Sequence, residues 1–152
     1  MKRELGIAKC GLACCLCSQN GLCGGCRSGN CPKKDTCEVW RCTQSRGLDS
    51  CAQCPEDCRK GILRKTKPYA FTQFVRRYGE RELLDRLEQN EKKGVLYHQS
   101  GFQGDYDTFD RAEDLISFLQ SGETPLFHDR EMPLSPDKET PLSPNAEKEE
   151  AP

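Results

Sequence analysis

All twelve cysteines of this 152-residue chain fall in its first 58 residues, between Cys10 and Cys58, and the 94 residues that follow contain none. Between those limits only Leu12, Leu16, Leu22, Val39, Trp40 and Leu48 are large and apolar, too few to bury an independent core. A stretch this small and polar must be held by disulfides or by metal ions. The N-terminus, MKRELGIAKC, lacks the apolar run of a secretory signal, and no stretch reaches membrane-spanning length. The expected compartment is therefore the cytoplasm, without membrane association. There thiols stay reduced and dense cysteine spacing reads as metal or redox chemistry.

Three intervals are Cys-x-x-Cys: Cys14/Cys17, Cys23/Cys26 and Cys51/Cys54. Two intervening residues let both sulfurs reach one ion while backbone N–H groups of the turn point back at them, and Gly24 and Gly25 permit the tight path. Soft thiolates select zinc or iron–sulfur clusters over magnesium or calcium. No histidine lies within the cysteine stretch, and His98 and His128 are far downstream. The expected ligands are Cys10, Cys14, Cys17, Cys23, Cys26, Cys31, Cys37, Cys42, Cys51, Cys54 and Cys58, holding two or three Zn2+ ions in cysteine-only sites. Such sites are coordinatively closed and structural. Cys15, next to Cys14, is the odd thiol, and Cys15→Ser is expected to be nearly silent while Cys54→Ser unfolds the module. Spacing alone does not pair the ligands.

Iron–sulfur ligation is the alternative. Cys10-x3-Cys14-x2-Cys17 has the spacing of the cluster triplet of radical enzymes using S-adenosylmethionine, and Cys51-x2-Cys54-x3-Cys58 resembles part of a ferredoxin run. The chain is far smaller than the radical enzymes' barrel, which leaves an electron carrier as the form this alternative takes. Thiol redox chemistry or disulfides are the remaining possibilities.

The segments Cys10-Gly-Leu-Ala-Cys-Cys-Leu-Cys17, Cys23-Gly-Gly-Cys-Arg27, Cys37-Glu-Val-Trp-Arg-Cys42, Arg46-Gly-Leu-Asp-Ser-Cys-Ala-Gln-Cys54 and Cys58-Arg-Lys resemble the cysteine-rich prokaryotic proteins grouped as domain-of-unknown-function family 3795. The likeness covers about residues 6–62. It implies a zinc-binding module with no established activity, and Cys15 departs from its pattern.

The expected architecture is a small irregular, metal-stabilised, zinc-knuckle-like module over residues 1–62, a small helical domain with a short extended piece over 63–122, and a disordered, Pro-rich acidic tail over 123–152. In the first, a turn or two of helix is expected at Asp35–Ser45, capped by Asp35 or Thr36, with Trp40 packed against the knuckles. In the second, apolar spacing predicts helices from Pro68 to about Tyr78 and over Glu80–Lys93. An extended piece follows at Gly94–His98, then a turn through Ser100–Asp107. A third helix should start near Asp110 with Glu113 completing a capping box. The tail repeats Thr-Pro-Leu and Pro-Leu-Ser-Pro with eight acidic residues against three basic, a composition that forms no helix and buries no surface.

No phosphate loop, dinucleotide fingerprint or nucleophile elbow is present, so a non-enzyme is expected. His98, Tyr97, Asp105, Tyr106 and Asp107 are close enough in sequence to build a polar ligand pocket. Turn hydrogen bonds are the simpler role for the two carboxylates. Residues 1–60 carry ten Lys/Arg against six Asp/Glu. That excess either neutralises metal–thiolate centres or supports nucleic-acid binding through Arg27, Lys33, Lys34, Arg41 and Arg46. Arg76, Arg77, Arg81 and Arg86, interleaved with acids, are expected on a solvated face. The working function is a zinc protein serving as an interaction or adaptor module for a protein partner, with iron–sulfur electron transfer and nucleic-acid binding as alternatives.

Overall fold

A computed structural model describes residues 1–18, 21–98 and 103–122. The expected tail, His128, and Ser100 and Gly101 of the expected turn lie outside those residues. The described part is small and mostly helical, with four α-helices: α1 (Glu38–Ser45), α2 (Thr66–Tyr78), α3 (Glu80–Lys92) and α4 (Ala112–Ser121). Single 3-10 turns punctuate the cysteine stretch, at Cys14–Leu16, Cys26–Ser28, Lys34–Thr36 and Cys51–Gln53. No strand occurs among the described residues, only one antiparallel bridge between Ile7 and Ala13.

Helices α2, α3 and α4 form where the apolar spacing places them, and they pack on one another. Phe71, Phe74, Leu83, Leu87, Leu115, Ile116 and Leu119 are all buried in one core. α2 stops at Gly79, whose φ of +89° only glycine adopts easily, and α3 begins at the next residue. α3 ends with Lys92, Lys93 and then Gly94 at φ +86°. Tyr106 sits edge-on to Phe71, with ring centroids 5.5 Å apart.

Several local expectations need correction. α1 is capped neither by Asp35 nor by Thr36: the Cys37 sulfur accepts the Trp40 N–H at 3.5 Å. The capping box at Asp110/Glu113 does not form, because Arg111 occupies the cap position of α4 and Glu113 is engaged by both terminal nitrogens of Arg77, at 2.7 and 2.8 Å. Gly94–His98 is not a strand. It is irregular chain fixed to the turn Asp105–Asp107: Leu96 N–H donates to the Asp105 carboxylate, and Asp105 N–H returns to the Leu96 carbonyl at 2.8 Å.

The packing also crosses residue 62. Ile7, Ala13 and Cys15 are buried in the same core as the helices. Gly11 makes this approach possible: at φ +86°, a Cβ there would stand 2.3 Å from the Pro68 carbonyl oxygen. A second, smaller cluster of Ala8, Cys10, Val39, Cys51 and Leu63 lies under the cysteine stretch. The front segment therefore has apolar support its own composition does not reveal. Cys15 is 0 % exposed, which alters the expectation for Cys15→Ser, since a hydroxyl there would enter an apolar core in place of a thiol.

Arg76 is exposed, as expected of the solvated face, but its partners are backbone carbonyls rather than the interleaved acids. From α2 it reaches the Cys51-x-x-Cys54 turn, donating to the carbonyls of Cys54 at 2.8 Å, Glu56 at 3.2 Å, Cys51 at 3.3 Å and Ala52 at 3.4 Å. The Cys51 carbonyl also accepts the Cys54 N–H within its 3-10 turn, and the guanidinium adds a charged donor to this cluster of carbonyls.

Candidate metal centre

Seven of the eleven expected ligands, Cys10, Cys14, Cys17, Cys23, Cys26, Cys31 and Cys37, line one cavity of about 470 Å3. They arrive on the opening loop, the 3-10 turn at Cys14–Leu16, the turn at Cys26–Ser28, and the entry to α1. The other four, Cys42, Cys51, Cys54 and Cys58, stand outside that lining. Cys51 is pushed up to about 11, first by burial and then by the neighbouring thiols of Cys58, Cys42 and Cys54. Cys37 also acts on Cys51, so the two groups of sulfur adjoin at α1. None of the twelve cysteines is disulfide-bonded.

The sulfurs receive hydrogen bonds from their surroundings. Lys9 N–H donates to Cys26 Sγ at 3.2 Å, Trp40 N–H to Cys37 Sγ at 3.5 Å, and the Arg46 guanidinium to Cys54 Sγ at 3.5 Å. N–H groups aimed at sulfur stabilise thiolates and orient metal ligands. Cys14 and Cys26 share a hydrogen bond that pulls Cys26 below the usual thiol range, with help from the Lys9 N–H and the charges of Lys9 and Arg27. Cys14 keeps the proton and moves up. Burial pushes Cys10 up to about 12, with Cys26, Cys37 and Cys51 adding to the effect.

Two buried lysines border the same cavity. Lys9, 8 % exposed, donates through Nζ to the Leu48 and Asp49 carbonyls at 3.1 and 3.2 Å and lies 5.4 Å from the Trp40 ring centre. Lys67, 7 % exposed, pairs with Asp107 at 2.7 Å and lies 4.3 Å from the Tyr97 ring centre. Charges this buried require partners. Lys67 has a carboxylate, whereas the contacts of Lys9 are dipoles and a ring, so Lys9 brings uncompensated positive charge to the thiols.

Asp105 and Asp107 take the turn hydrogen bonds expected as their simpler role. Asp105 is buried and serves the turn, and Asp107 accepts from Gly104 N–H and Lys67. His98 lines the cysteine cavity, where its Nε2 lies 3.1 Å from Ser18 Oγ, and stays within reach of the Asp107 charge. The sequence places no histidine among the thiols, since 40 residues separate Cys58 from His98 and only tertiary packing brings them together. Burial and the Lys67 charge hold the His98 imidazole below its ordinary pKa, favouring the neutral ring. Trp40 also lines the cavity.

Of the five basic residues expected to face nucleic acid, Arg27 is paired with Glu80, Arg46 with Glu56, and Lys34 with the Gly29 carbonyl. Lys33 lines the cavity, and Arg41 is exposed.

Among the described residues, no group of three or more His, Cys, Asp or Glu side chains is arranged to hold a metal ion. The donor chemistry nevertheless fits a thiophilic metal: the sulfurs are free, gathered, and supplied with N–H donors and buried cations. A change of one χ1 well relocates a cysteine sulfur while the backbone stays in place. No helix among the described residues is long and apolar enough to cross a membrane. No protein-family model matches the chain, and neither curated proteins nor solved structures match it. The likeness to domain-of-unknown-function family 3795 thus rests on the cysteine motifs alone.

Proposed function

We propose that this chain is a zinc protein whose cysteine-ligated ions are structural and whose loops serve as an interaction or adaptor module. The observation that carries the reading is the gathering of seven thiols from separate stretches around one cavity, while Cys15, the thiol outside the motif pattern, lies in the apolar core. Thiolates around an ion would give the centre negative charge, and the Lys9 ammonium, whose charge acts on Cys26, would offset part of it. Metal binding would replace the burial that the cysteine stretch lacks, at about 10 kcal/mol or more per structural ion. Leu22, 94 % exposed between Cys17 and Cys23, is an apolar contact presented outward, in keeping with a protein partner. Elemental analysis of purified protein together with its absorption spectrum tests this: colourless protein with stoichiometric zinc is expected, and metal-free folded protein refutes it.

The spacing of Cys10, Cys14 and Cys17, all three of which line the cavity, favours a second reading, iron–sulfur ligation. That reading expects brown protein containing iron and sulfide when purified anaerobically.

A further inference from the structure

We propose that His98 is a metal ligand, so that the cavity holds two four-coordinate zinc sites built from seven thiolates and one imidazole. This inference rests on the zinc reading above. Structural zinc takes its donors in fours: all cysteine, three cysteines with one histidine, or two of each. With Cys15 in the helical core, eleven cysteines remain. Seven of the eleven line the cavity and four, Cys42, Cys51, Cys54 and Cys58, stand outside its lining, so three sites of four donors need one ligand more than the cysteines supply. Two sites need eight donors, and the side chain that completes the number is present: His98 lines the same cavity.

The position of His98 is built by its neighbours. Tyr97 OH accepts the Ala13 N–H at 2.9 Å, which binds the residue before His98 to the residue before Cys14. Lys67 donates to the Tyr97 carbonyl at 3.4 Å, and Leu96 is locked to Asp105. The imidazole reaches Ser18, directly after Cys17. Thus the 95–98 segment, which comes from the helical half of the chain, brings the His98 ring to the wall of the cysteine cavity, next to Ser18. One ion would be bound by four sulfurs and the other by three sulfurs and the His98 ring.

The test uses the full chain as wild type, His98→Ala and His98→Cys, with zinc measured per chain and visible spectra recorded after cobalt(II) replacement. Wild type is expected to hold three zinc ions. His98→Ala should lose one of the three with helical circular dichroism retained. His98→Cys should restore the third, with its cobalt ligand-field bands shifted from the wild-type position by the exchange of nitrogen for sulfur. His98→Ala with wild-type zinc content and an unchanged cobalt spectrum overturns the proposal while leaving the zinc reading intact. If His98→Ala unfolds, an unshifted cobalt spectrum in His98→Cys overturns it equally. Wild type containing no zinc, or iron and sulfide instead, overturns the zinc reading and this inference together.

Discussion

Arg76→Ala measures how firmly the helices hold the last cysteine turn. Arg76 makes four contacts to backbone carbonyls of residues 51–56, of which the one to Cys54 at 2.8 Å is the shortest and the others lie at 3.2 to 3.4 Å. A hydrogen bond to a charged group contributes about 1.5–3 kcal/mol. The longer contacts add little, and the exposure of Arg76 lets water replace part of what is lost, leaving a cost of about 1–2 kcal/mol. With a urea m-value of about 1–2 kcal/mol/M for a domain this size, the unfolding midpoint should fall by about 1 M. Arg76→Lys should recover less than half of this, because an ammonium cannot fork across several carbonyls. Urea unfolding followed by circular dichroism supplies the number, and the rate at which a thiol reagent labels Cys51 and Cys54 supplies the location. An unchanged midpoint with unchanged labelling in Arg76→Ala would refute the argument that this side chain carries the turn.

Lys67→Met removes one member of a pair in which the lysine is 7 % exposed; breaking a fully buried pair costs about 3–5 kcal/mol, and the partial exposure of Asp107 and its Gly104 contact lower this to about 2–3 kcal/mol by urea unfolding. Cys15→Ser, placing a hydroxyl in the apolar core, should cost about 1–3 kcal/mol without altering zinc content, whereas Cys54→Ser should lower zinc content by elemental analysis. Burial raises Cys15 from an ordinary 9.0 to about 11. The stability this contributes is complete below pH 9 and disappears as pH climbs through about 11, so Cys15→Ala should show a flatter alkaline decline of unfolding free energy than wild type.

The three packed helices were legible because their apolar residues recur at helical spacing and Gly79 and Gly94 mark their ends. Their starts were less so. Capping depends on which side chain wins a local competition, and at α1 a sulfur prevailed over the expected oxygens of Asp35 and Thr36. Arg76 and Arg77 look alike in sequence, yet one clasps a cysteine turn and the other a carboxylate on α4, because they project from different sides of α2. Of the candidate site, the cysteines are visible from spacing; which seven of them line the cavity is not. His98 stood out only for its polar neighbours and not as a companion of the thiols, since nothing in residues 59–97 announces that the chain returns to the cysteine cavity. No local pattern marks Lys9 and Lys67 out from the other lysines, and only tertiary packing buries them.

The Ile7–Cys15 loop belongs to the cysteine stretch by sequence and to the helices by packing. Severing the polypeptide near residue 62 would strip the helices of three interior side chains and leave the thiol-bearing fragment without its anchor. Neither piece should then melt with the sharpness of the whole, and loss of metal at one end should be felt in the helices at the other.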